Sequence, residues 1–110
     1  MYKQGDIIVV PFPFSDDIKK SKLRPAIVVS NAMSNDIDND LIICPITTSL
    51  RESIFSFRLK DFDLQQPLPK NSEVRCNKFA TIRTSLVLSK ISALKQNKVD
   101  ELIEIIKSAF

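Results

Sequence analysis

The chain has 110 residues, 16 basic against 13 acidic (net +3), 44% hydrophobic and 26% charged, and is read as a single domain over residues 1–110 that leaves surface for a partner, so oligomerisation is expected. No histidine is present, which excludes Ser-His-Asp and Cys-His triads and a two-histidine ribonuclease mechanism. The single glycine excludes a glycine-rich phosphate loop and nucleotide cofactors held that way, while the modest positive charge favours a polyanionic partner.

The opening Met1 to Asp6 lacks the apolar core of a signal peptide, and no apolar run approaches the roughly 18 residues that cross a bilayer. A soluble cytoplasmic protein with reduced cysteines and no membrane partner is expected. Asp6 to Phe14 is rich in Ile, Val and Phe and reads as a first strand, with Pro11 and Pro13 marking an edge or bulged end. Ser15 to Leu23 is a charged loop long enough to fold over a neighbouring site. Lys19, Lys20, Lys22 and Arg24 crowd its exit, as a solvated run or as a phosphate-facing rim.

Arg24 to Ser30 and Leu41 to Thr47 are apolar runs, continuous enough to be strands covered on both faces. Asn31 to Asp40, rich in Asn, Asp and Ser, reads as the turn between them. A symmetric hairpin then pairs residues whose numbers sum to 71, Ser30 with Leu41 and Arg24 with Thr47. Directly opposed residues have Cβ atoms about 4.5–5.5 Å apart, so a guanidinium and a hydroxyl meet at the sheet rim. Asp36, Asp38 and Asp40 alternate without the glycine and terminal glutamate of a calcium loop, and read as turn residues. Cys44 reads as a buried apolar residue, and Cys44 and Cys76, far apart with no histidine, do not form a zinc motif.

Further on, Ile54 to Leu59 alternates as a short strand and Asp61 to Asn71, with Pro67 and Pro69, is a connection. Glu73 to Ile82 reads as one strand and Val87 to Ile91 as a short segment after a break at Thr84-Ser85. Asn97 is placed to cap a final helix, with Asp100 three residues on, and Val99, Leu102, Ile103, Ile106 and Phe110 recur at helical spacing. Short strands with one terminal helix and no βαβ alternation predict a mainly β fold, a small bent sheet or partial barrel.

The chemistry left is carried by Arg24, by the hydroxyls Thr47, Thr48 and Ser49, and by Arg75 in Val74-Arg-Cys-Asn-Lys78. A guanidinium makes bidentate, charge-assisted hydrogen bonds to phosphate oxygens and stabilises the added charge of a phosphorane-like transition state. It does not accept protons, its pKa exceeding about 12. By residue type alone, Arg24 also suits a surface ion pair and the hydroxyls also suit turn caps.

Gly5-Asp-Ile-Ile-Val-Val-Pro-Phe-Pro-Phe14, Arg24-Pro-Ala-Ile-Val-Val-Ser30 and Ile43-Cys-Pro-Ile-Thr-Thr-Ser49 together resemble the MazF/PemK toxins of bacterial type II toxin-antitoxin systems in order and spacing. Val74-Arg-Cys-Asn77 with Thr81-Ile82 is similar to the family's later strand, and the final helix matches. The resemblance implies an SH3-like small barrel that forms homodimers and cuts single-stranded RNA at short sequences until a labile, acidic antitoxin binds it. Arg24 and Thr47 fall on the family's catalytic arginine and threonine, in agreement with the hairpin register. The implied reaction needs no metal or other cofactor: a ribose 2′-hydroxyl attacks the adjacent phosphate, leaving a 2′,3′-cyclic phosphate and a 5′-hydroxyl.

Lys22, Thr48, Ser49, Arg75 and Asn77 are expected to bind substrate around that pair. Phe14, Phe55, Phe57 and Phe79 are candidates for base stacking that also read as core. The chain departs from members that place an aspartate after the Arg-Cys pair and a histidine in the first loop: it has Asn77, no histidine and no first-loop glycines. Two other functions go with the same fold: a non-catalytic toxin binding a protein such as DNA gyrase, or a degenerate member binding RNA or antitoxin without cutting. Gyrase-poisoning CcdB relatives use a tryptophan-containing tail, whereas this chain ends Ser108-Ala-Phe110 and has no tryptophan.

Overall fold

The computed structural model describes residues 1–12 and 22–110. The strands are β1 (Asp6–Phe12), β2 (Lys22–Val28), β3 (Asp40–Thr47), β4 (Ser56–Leu59), β5 (Ser72–Arg75), β6 (Ala80–Arg83) and β7 (Ser89–Ala93), with helices α1 (Ala32–Asp38) and α2 (Gln96–Lys107). They form a curled, half-barrel sheet in the order β4-β5-β3-β2-β1-β7, with β6 also on β3, closed by α2 as the sequence predicts. No described helix is long and apolar enough to cross a membrane. Pro13, Phe14 and most of the predicted first loop, including Lys19 and Lys20, lie outside the described residues.

The β2–β3 register is the predicted one: Ala26 pairs with Pro45, Ile27 with Cys44 and Val28 with Ile43, each summing to 71. Prolines decide where the ladders stop. The Val28 carbonyl accepts the Gly5 N–H, so Val28, Ala26 and Arg24 turn their backbone groups toward β1, and Ile27 and Pro25 turn theirs toward β3. Pro25 has no N–H to give, and the β2–β3 ladder ends one residue before it, at Ala26. Pro11 sits past Val9, the last residue of β1 paired with β7. β1 is therefore an interior strand, between β2 and β7, from Asp6 to Val9.

Pro45 marks the third interruption. β3 pairs with β6 from Asp40 to Ile43 and with β5 at Ile46 and Thr47. The predicted Glu73–Ile82 strand is thus two strands, because Pro45 offers no N–H at the junction and Cys76 to Phe79 leave the sheet there.

The predicted turn at Asn31–Asp40 is the short helix α1. Asn31 Oδ1 accepts the Ser34 N–H at 2.9 Å, and Asn39 closes the helix in the left-handed region at φ 54°. The same Asn, Asp and Ser that favour turns cap a helix of this length. α2 starts at Gln96 with Lys95 as its N-cap, so Asn97 is inside the first turn. Its entry is set instead by Lys95 N–H donating to Asp63 and Leu94 N–H to Gly5. Phe110, predicted on the apolar face, is 90% exposed, with its ring 5.3 Å from that of Phe79. β7 begins two residues later than its predicted segment, after a 3-10 turn at Thr84–Leu86, and β4 begins at Ser56, with Ile54 exposed.

The central strands are covered on both faces, as their unbroken apolar runs predict. One core gathers Ile7, Ile27, Cys44, Ile46, Phe57, Val74, Cys76 and α2's Val99, Leu102 and Ile106. The other holds Ile8, Val10, Phe12, Ala26, Val28, Leu41, Ile43 and Ile82. At the β4–β5 end no described apolar residue of the second core covers the sheet's second face. There Phe57, Leu59 and Val74 point into the first core, and alternation sends Ser56, Arg58, Glu73 and Arg75 to the opposite side. Thr47, paired with Glu73, joins them.

Candidate functional site

That polar face is the floor of a basic cleft. Two residues beyond the last β2–β3 pair, the shared register sets Arg24 opposite Thr47, and both line a hollow of about 290 Å³ with Pro45, Ile46, Arg51, Arg75 and Lys78. A neighbouring hollow of about 220 Å³ shares Arg24 and Thr47 and adds Lys22, Leu23, Pro25 and Thr48. On the other side a third, about 260 Å³, shares Arg51, Arg75 and Lys78 and adds Ser53, Phe55, Ser56, Glu73 and Asn77. The three make one trough, with Arg24 and Thr47 as the ridge between its first two parts.

Five cations line it: Lys22, Arg24, Arg51, Arg75 and Lys78. Among the described residues, none of the five forms an ion pair within 4.0 Å. The exposed Arg24 guanidinium is therefore not held by any described carboxylate, the ordinary reason for an arginine at a strand end. Thr47 Oγ1 accepts the Ser49 N–H at 3.0 Å, so the turn-capping role read from sequence is also present. Its own O–H proton has no acceptor among the described residues and is free to donate. Cations and a free hydroxyl donor at one rim bind an oxyanion.

The structure therefore brings together Arg24, Thr47, Lys22, Thr48, Arg75 and Asn77 of the sequence-selected residues. Ser49 joins them through its backbone: its carbonyl accepts from Arg75 Nη2 at 3.1 Å. Phe55 lines the third hollow and Phe57 is core, as is Phe79 in part. Arg51, Lys78 and Glu73 were not singled out from sequence. Arg51 follows Ser49 by two residues in the same turn, and Lys78 follows Asn77, so proximity to chosen residues was the available signal.

Glu73 is the carboxylate of the trough, 1% exposed. Burial pushes its pKa up, but the hydrogen bond from Ser56 Oγ, those from the Glu52 and Arg51 amides, and the Arg75 charge outweigh it and hold it below the ordinary value. It is ionised and both of its oxygens accept hydrogen bonds from within the protein, so it reads as an anchor of the turn. Among the described residues no group of three or more His, Cys, Asp or Glu is placed to hold a metal ion.

Solved structures share this fold. The chain is similar to the Mycobacterium tuberculosis toxin MazF-mt6, at 21% identity and TM-score 0.77, covering 96% of this chain and 95% of that one. It is similar to an endoribonuclease from mycobacterial species solved in complex with its cognate antitoxin, at 14% identity and TM-score 0.80, covering 99% and 94%. MazF from Deinococcus radiodurans aligns at 17% identity and TM-score 0.76, over 97% and 94%. Among curated proteins none matches the chain. The sequence pattern of PemK-like, MazF-like toxins of type II toxin-antitoxin systems matches residues 3–110, and the chain belongs to that family.

Proposed function

We propose that this protein is a sequence-specific endoribonuclease toxin that cleaves single-stranded RNA without a metal ion and is neutralised by a cognate acidic antitoxin. The observation that carries the reading is an Arg24 with no ion-pair partner among the described residues, beside the Thr47 hydroxyl donor, in a trough lined by four further cations. The 2′-oxygen of a ribose attacks the adjacent phosphorus and the bond from phosphorus to the 5′-oxygen breaks, giving a 2′,3′-cyclic phosphate and a 5′-hydroxyl. The 2′-hydroxyl proton passes to water or to a phosphate oxygen, and the departing 5′-oxygen takes one from water. Neither step needs histidine. Arg24 stabilises the charge that builds on the phosphoryl oxygens and Thr47 donates a hydrogen bond to the same group. Lys22, Thr48, Ser49, Arg75 and Asn77 hold the flanking nucleotides, Ser49 by fixing Arg75.

An acidic, partly disordered antitoxin segment fits the same trough by charge and orders on binding. The mycobacterial endoribonuclease solved with its antitoxin supports this partner. A second copy of the chain is the remaining partner, supported by the apolar side chains exposed around β7.

The test is incubation of the purified protein with long single-stranded RNA in excess chelator, beside Arg24→Ala and Thr47→Ala. Discrete fragments with 5′-hydroxyl ends are expected from the wild type, and Arg24→Ala lowers the rate about 10²–10³-fold, the loss typical of removing one electrostatic stabiliser. Undiminished cleavage by both variants would place the site elsewhere. Intact RNA with DNA gyrase trapped on DNA would assign the protein to the gyrase-binding class, and intact RNA that still binds to the non-cutting class.

A further inference from the structure

Glu73 is a buried carboxylate that the reaction above does not use. Its Oε1 accepts two successive backbone N–H groups, Arg51 at 3.0 Å and Glu52 at 3.2 Å, and its Oε2 accepts the Ser56 hydroxyl. Glu52 stands at φ 49°, in the left-handed region, which costs a residue with a side chain roughly 1–2 kcal/mol. Two consecutive amides converging on one anion form a backbone nest, and here the anion is supplied from inside the protein. Arg75, two residues along β5, ties down the start of the same turn by donating to the Ser49 carbonyl. One strand thus clamps residues 49–52 at both ends. The outcome of that clamp is the position of Arg51, exposed and lining the same hollow as Arg24 and Thr47.

We propose that Arg51 is a substrate-binding residue that contacts a phosphate next to the scissile one, and that Glu73 is the positioning residue that sets it there. This rests on the ribonuclease reading for its substrate, but its test does not require cleavage. The Glu73 carboxylate accepts three hydrogen bonds within the protein and does not touch RNA, whereas the Arg51 guanidinium has no side-chain partner among the described residues. Loss of the anchor releases the turn from its left-handed residue and moves the charge away from the phosphate.

The experiment uses a mixed-sequence 2′-O-methyl RNA 20-mer, whose blocked nucleophile prevents cleavage, with cleavage of unmodified RNA measured in parallel. Arg51→Ala weakens oligonucleotide binding about tenfold, the worth of one charge-assisted contact, and lowers the slope of log affinity against log salt by about 0.7. KM rises by a similar factor and kcat stays within about twofold. Glu73→Ala gives the same loss, Glu73→Gln only about threefold, because its amide oxygen still accepts the two N–H groups. Neither adds to the loss in an Arg51→Ala background.

Thermal melts establish which variants are folded. Glu73→Gln preserves volume and carries the cycle where Glu73→Ala does not fold. Additive losses, or an unchanged salt slope in Arg51→Ala, overturn the proposal. A wild type that binds the oligonucleotide but leaves RNA intact removes the ribonuclease reading, and the binding cycle still decides the role of Glu73 and Arg51. A wild type that does not bind overturns both.

Discussion

Gly5, the chain's single glycine, stands at φ +97°, where a side chain is strained, and a Cβ there would come 2.9 Å from Val99 Cγ2. Its N–H donates to Val28 and its carbonyl accepts from Leu94, so one residue joins β2, the start of α2 and the beginning of β1. Gly5→Ala is expected to destabilise the protein by about 2 kcal/mol or more, from backbone strain and overpacking against Val99, measured as a fall in the denaturant midpoint. An unchanged midpoint would mean that α2 shifts away at no cost. Arg24 and Thr47 illustrate the same dependence on position. Neither residue type is unusual; what sets them apart is a shared rim at which, among the described residues, Arg24 has no carboxylate partner and Thr47 keeps its O–H proton uncommitted.

At the scale of elements, the legible features were those set by local pattern. The register of β2 and β3 follows from two apolar runs about a polar centre, and α2 from its helical spacing. What the sequence did not disclose depends on contacts across the fold. The break between β5 and β6 is set by Pro45 on a neighbouring strand, and within Glu73–Ile82 the turn-favouring Asn77 is its one local signal. Glu73 reads as an ordinary alternating strand residue, since the amides that capture it lie 21 and 22 positions earlier. Arg24 and Thr47 were legible because they terminate predicted strands, whereas Arg51 belongs to a turn with no periodicity.

Cys44 on β3 and Cys76 after β5 share one core. Burial pushes both thiols up to about 12, for Cys44 with Cys76 adjacent and for Cys76 with the Glu73 charge adjacent. Both pKa values are raised by folding, so the contribution of the neutral thiols to stability is present below the unfolded thiol pKa of about 8.5 and is lost as pH rises through the folded values. Alkylation in native buffer at pH 8 is accordingly expected to require opening of the strands, with both thiols reacting together and at once when denaturant is added. Fast labelling of either in native buffer would refute their shared burial.

At the scale of the whole molecule, β7 ends the sheet order, and Leu86, Leu88 and Ile91 around it are 51%, 60% and 39% exposed. Gln65 and Gln66 bond the outer edge of β7 at Ala93 and Ser92, which leaves Ser89 to Ile91 without a partner strand there among the described residues, and such an edge with apolar neighbours is a surface that a folded protein ordinarily covers. Sedimentation equilibrium of the 12.5 kDa chain is expected to give about twice that mass, and Leu88→Lys to shift the species toward monomer. A wild type that sediments as a monomer at tens of micromolar would remove the homodimer from the proposal.

The excursion of Cys76 to Phe79 carries a consequence for engineering. β3 holds β5 and β6 by independent pairings, Ile46 with Val74 on one side and Ile43 with Ala80 on the other, so the segment between them has no strand to keep in step. Asn77 and Lys78 occupy its tip, exposed, above the trough. Cys76 and Phe79 anchor the segment in the first core, so only its tip is separable from folding: Asn77 and Lys78 can be exchanged for other polar side chains on an unchanged barrel.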